Sequence, residues 1–95
     1  MGTFGEFHGV HFAPPQPGHV EVDWGVPVSR CNRVRVREHT CECDSVLFEL
    51  CQAGGQLFIR RTLRDSGGVT VHESGWLVSA AAMELWRRLL RGEAR

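Results

Sequence analysis

Between His39 and Arg61 the chain carries its most apolar stretch, and the pattern is that of two paired strands. Val46 to Cys51 is apolar on both faces apart from Glu49, Ala53-Gly54-Gly55 interrupts it, and Gln56 to Leu63 returns with Leu57, Ile59 and Leu63 on one side and Phe58, Arg60 and Arg64 on the other. An apolar run, a Gly-Gly turn and a second alternating run specify an antiparallel hairpin. A strand that is apolar on both faces belongs in the middle of a sheet. Its second face then needs cover from the N-terminal arm or from another subunit, and the expectation is a homodimer.

The flanking segments alternate as well. Val20, Val22 and Trp24 are spaced by Glu21 and Asp23 before Gly25 and Pro27, and Val34 and Val36 are spaced by Arg33, Arg35 and Arg37. Both read as half-buried strands, with Glu21 or Asp23 set against Arg33 or Arg35 as cross-strand pairs. The alternation changes phase between Arg37 and Cys43. A bulge or turn near Glu38 to Thr40 restores it and turns Cys41 and Cys43 inward. Asp65-Ser66-Gly67-Gly68 predicts a second turn, and Val69 to Val71 a last strand.

Near the C-terminus the period lengthens. Ala82, Leu85, Trp86, Leu89 and Leu90 form a helical stripe, with Ser79 as N-cap, Gly92 as the C-terminal stop, and Arg87, Arg88 and Arg91 near the negative end of the helix dipole. The fold expected is α+β: a small antiparallel sheet of four to five strands with one C-terminal amphipathic helix packed on it. Residues 1–18, broken by four Gly and three Pro, read as an arm, and 19–95 as a single domain.

Composition changes this picture little. All eleven basic residues are Arg, which reflects a GC-rich coding sequence, and the formal net charge is zero. Every Arg lies at position 30 or beyond, so an acidic arm precedes a mildly basic body. The first residues lack a basic segment followed by an apolar one, and no run of eighteen apolar residues occurs, so a cytoplasmic protein is expected.

The chemistry rests on four cysteines spaced C-x9-C-x-C-x7-C. In a reducing compartment these are thiols or metal ligands sooner than disulfides. A zinc site could be drawn from Cys31, His39, Cys41, Cys43 and Cys51, and zinc is the one cofactor the residues suggest. The spacing lacks paired C-x-x-C knuckles, and buried thiols acting as small hydrophobes account for the same residues. His8 and His11, set among glycines, read as loop histidines or as contributors to a metal or partner site. A nucleophilic pairing of Cys51 with His72 has no pocket to support it, so no catalytic residue and no small-molecule substrate is inferred.

Two binding roles remain. A protein partner or a second copy of the chain is favoured by Trp24, Trp76 and Trp86, more large aromatics than a thin core hides. The alternative is a nucleic-acid-binding regulator using Arg33, Arg35, Arg37, Arg60 and Arg64, whose spacing along strands suits a phosphate backbone. The expected function is a small non-enzymatic accessory or regulatory binding protein with no membrane association.

Overall fold

The computed structural model describes residues 10–28 and 33–95 of the chain. Four strands, β1 (Val34–His39), β2 (Val46–Ala53), β3 (Gln56–Asp65) and β4 (Gly68–Glu73), form one antiparallel sheet in the order β1-β2-β3-β4. Among the described residues one helix, α1 (Ser79–Arg91), packs on β3. This is the α+β architecture expected from the periodicity.

The central hairpin forms where the Gly-Gly pair predicts it. Ala53 pairs with Gln56 across Gly54 and Gly55, and Gly54 has a φ of 62°, which a residue with a Cβ adopts only at a cost. Asp65 pairs with Gly68 in the second hairpin, where the Asp65 side chain accepts a hydrogen bond from the Gly67 N–H at 2.8 Å. The expected irregularity in β1 falls between Val36 and Glu38, just upstream of the predicted position.

Strand alternation sorts the core onto two faces. Phe48, Leu50, Leu57 and Ile59 meet Ala82, Trp86 and Leu89 of α1, so the predicted helical stripe is the buried one. On the opposite face Cys51, Ala53 and Phe58 are buried with Val34 against them, and Trp76 stands edge-on to Phe58 at 5.6 Å. That face also carries a row of charge. Arg60 lies between Glu49 and Glu73 in the strand register and donates to Glu49 at 2.8 Å, which holds the guanidinium more firmly protonated than usual.

Several expectations are corrected. Residues 19–24 form no strand with β1. Instead Val20 and Val22 donate to the carbonyls of Glu93 and Arg95, and Gly25 bridges Glu73 at the other edge of the sheet. Glu21 and Asp23 are therefore not in register with β1, because the backbone of residues 93–95 past α1 pairs with this segment instead.

The described arm also covers the helix side of the sheet and not the second face. Phe12 packs edge-on to Phe48 at 5.0 Å, Trp24 stacks on it at 6.1 Å, and Arg61 lies 4.6 Å above the Trp24 ring. Val78, not Ser79, occupies the N-cap and makes no side-chain capping bond. Gly92 ends α1 in the left-handed region at φ 77°, as expected. No helix among the described residues is long and apolar enough to cross a membrane.

Candidate metal centre

The loop between β1 and β2 is built to present sulfur. At its base, Thr40 is fully buried. Its N–H donates to the Phe48 carbonyl at 2.9 Å, and its hydroxyl accepts from the Phe48 N–H at 2.9 Å. From the far side Arg64 reaches in, its Nη2 donating to the carbonyls of Glu42 and Asp44, both at 2.6 Å, while its N–H donates to the Ser45 carbonyl. Residues 41–45 therefore turn as a braced loop and do not continue the strand.

Bracing fixes the two cysteines differently. Cys41 is buried and Cys43 is exposed, so the expectation that both point inward holds only for Cys41. The reason is that alternation stops with the strand at His39. The two sulfurs lie 2.9 Å apart and share a hydrogen bond, and the Cys43 N–H donates to the Cys41 sulfur at 3.4 Å. A backbone N–H aimed at sulfur stabilises a thiolate. The Cys43 thiol is held above the usual cysteine range, chiefly by its hydrogen bond with Cys41, then by loss of hydration and by the nearby charges of Cys41 and Asp44.

The third donor comes from the arm. Val10 pairs in parallel with Thr40 and accepts a hydrogen bond from the Cys41 N–H at 2.8 Å, so the next residue, His11, is laid beside the loop. Its Nδ1 is 3.9 Å from the Cys43 sulfur, and one donor atom from each of His11, Cys41 and Cys43 lies within 4.8 Å of the others. That same Nδ1 is 3.9 Å from Asp44 Oδ2. Two sulfurs and an imidazole, gathered from segments thirty residues apart in sequence, are a donor set that could hold a metal ion.

Of the metal ligands expected from sequence, the structure brings together Cys41 and Cys43. Cys31 lies outside the described residues. His39 pairs in register with Glu49, its Nδ1 is 2.9 Å from the Thr40 carbonyl oxygen, and it is not part of the cluster. Cys51 is buried against Phe58 and Val34, five residues and about 17 Å along β2 from the strand end that meets the loop. His11, which the sequence leaves open as a loop histidine or a contributor to a metal or partner site, joins the cluster through the Val10–Thr40 bridge, and His8 lies outside the described residues.

Cys51 and His72 are not brought together either. Cys51 is on the face away from α1, whereas His72 is paired with Arg61 on the other, with Arg61 Nη2 3.3 Å from His72 Nδ1. The arginines divide in a similar way. Arg60 is held by Glu49, Arg64 braces the loop, and Arg37 donates to Gln52. Arg33 and Arg35, with Gln52 and Gly54, line a surface depression of about 300 Å³.

No protein-family model, curated protein or solved structure matches this chain.

Proposed function

We propose that this chain is a small non-enzymatic binding protein that acts through protein contacts and is fastened by a zinc ion held by His11, Cys41 and Cys43. The observation that carries the zinc reading is the convergence of those three donors from the arm and the β1–β2 loop. Two thiolates and an imidazole suit zinc better than magnesium or calcium, which take oxygen ligands. Binding there would convert metal affinity into folding free energy and tie the arm down beside Phe48, a gain that matters in a domain with a thin core.

The contact reading is supported by apolar side chains left at the surface. Val26 is 76% exposed, Val78 71% and Trp76 41%, and Val26, Val28 and Trp76 line one depression of about 300 Å³. Native mass spectrometry of protein purified without added zinc tests both halves, because one spectrum reports bound metal and subunit number. One zinc per chain is expected, with loss of the ion in Cys43→Ser. Metal-free protein whose melting temperature ignores a chelator removes the zinc reading. A monomer at high micromolar concentration removes self-association as the contact.

A second reading, nucleic-acid binding, is favoured by the exposed pair Arg33 and Arg35 beside Gln52. Anisotropy with a generic oligonucleotide at low and moderate salt separates it. If these side chains meet phosphates, replacing Arg33, Arg35 and Arg37 by Gln abolishes binding and flattens the salt dependence.

A further inference from the structure

We infer that the Asp44 carboxylate is the fourth ligand of this centre, and that it tunes the site toward zinc-like divalent ions and away from copper(I). The inference rests on the metal-binding reading above and adds a residue to it. The decisive point is which imidazole nitrogen the carboxylate faces. A carboxylate that merely orients a metal-bound histidine sits behind the ring, hydrogen-bonded to the nitrogen the metal does not use. Here Nδ1 of His11 is 3.9 Å from the Cys43 sulfur and also 3.9 Å from Asp44 Oδ2. Sulfur and carboxylate thus both approach the same imidazole nitrogen, Nδ1.

The distances around His11 fit the assignment, while Asp44 stands outside the set of donor atoms that lie within 4.8 Å of one another and must swing toward the sulfurs to complete the centre. With zinc bonds of about 2.3 Å to sulfur and about 2.0–2.1 Å to nitrogen or oxygen, the edges of a tetrahedron are about 3.6 Å for sulfur–nitrogen and about 3.3 Å for nitrogen–oxygen. Both 3.9 Å separations are within about 0.6 Å of those edges. The two sulfurs at 2.9 Å must part by about 0.9 Å to span a sulfur–sulfur edge of about 3.8 Å, and exposed Cys43 has the room to do so.

Asp44 is itself well supported. Its backbone is fixed by Arg64, while its side chain, 44% exposed, keeps rotamer freedom to close on an ion. A hard carboxylate contributes to binding zinc or cobalt(II) and little to copper(I), which prefers the two sulfurs.

The test is metal titration of the full chain with cobalt(II), with zinc competition and with copper(I), comparing wild type, Asp44→Asn and Asp44→His. Wild type is expected to give the visible bands of four-coordinate cobalt. Asp44→Asn should weaken and shift those bands and lower cobalt and zinc affinity about tenfold or more, while copper(I) affinity changes by less than about threefold. Asp44→His, which restores a ligand, should recover four-coordinate bands.

Equal cobalt spectra and affinities in wild type and Asp44→Asn would overturn the assignment while leaving the three-residue centre standing. So would equal losses of cobalt and copper(I), which would mark a general effect of charge. Wild type that binds no cobalt or zinc overturns the centre itself.

Discussion

The carbonyl oxygen of Pro14 occupies the space that a Cβ on Gly92 would need. Gly92 is also in the left-handed region, and its own carbonyl accepts a hydrogen bond from the Gln16 N–H at 2.8 Å. The end of the helix and the arm therefore meet backbone to backbone. Gly92→Ala should cost about 2 kcal/mol or more, from the unfavourable φ together with the collision, and should loosen the arm. Chemical denaturation gives the first quantity, and amide exchange at residues 13–22 reports the second.

Phe48 is the point on which the arm rests. It contacts Phe12 and Trp24, and Arg95 stands 5.6 Å from its ring. Phe48→Ala should destabilise the fold by about 3–5 kcal/mol, the range for emptying a buried aromatic site. Phe12→Ala should cost less, since Phe12 is only half-buried and the sheet does not depend on it. Equal costs for the two would mean that the arm and sheet unfold as one unit.

Cys43 and Cys51 should separate cleanly by experiment. Cys43→Ser removes a donor from the candidate centre and should lower zinc content with a matching loss of chelator sensitivity. Cys51→Ser should leave zinc content unchanged and lower stability by about 1–3 kcal/mol, because it puts a hydroxyl into a buried site packed against Phe58 and Val34. Inductively coupled plasma analysis and a melting curve with and without chelator decide both.

Arg64 has no place in the donor set yet shapes it. Arg64→Ala deprives two carbonyls of the C-x-C loop of their donor and should weaken zinc binding about tenfold to a hundredfold. Arg64→Lys should recover only part of this, since an ammonium does not reproduce the reach and planar geometry of the guanidinium.

One acid-side effect follows from α1. Glu84 accepts from Arg88 and Arg87, and these bonds hold its carboxyl below the usual range. A carboxylate with a depressed folded value contributes stability above its unfolded value, and that contribution is lost as pH falls through the folded one. Glu84→Gln should therefore be less stable than wild type at neutral pH, with the difference closing in acid. Denaturation midpoints measured across that window test it, and a difference independent of pH would point to helix propensity instead.

How much of this was legible beforehand depended on the range of the interaction. The hairpin at Gly54-Gly55, the bulge in β1, the stripe from Ala82 to Leu90 and the stop at Gly92 are all written in neighbouring residues, and each was readable from period and turn chemistry. The alternation of Val20, Val22 and Trp24 misled, because an extended segment alternates equally well when it pairs with the stretch after a helix. Of the cysteines that the structure describes, the meeting of Cys41 and Cys43 was legible because C-x-C is local, and the separation of Cys51 from them was not. His11 could be named only as one of two arm histidines open to a metal or partner role, since it is the parallel bridge between Val10 and Thr40 that brings it to the sulfurs.

The sheet order carries a kinetic corollary. Each strand lies beside its neighbour in sequence, so β1 to β4 can zip together through short loops, and α1 needs only to fold back on β3. The arm is different, because Val10 must find Thr40 and Val20 must find Glu93 and Ala94, contacts that close long loops. Refolding should then show a fast phase for the meander and helix, followed by a slower annealing of the arm. Any ion held by His11 would be captured in that last step, and adding metal to the refolding mixture should speed the slow phase alone.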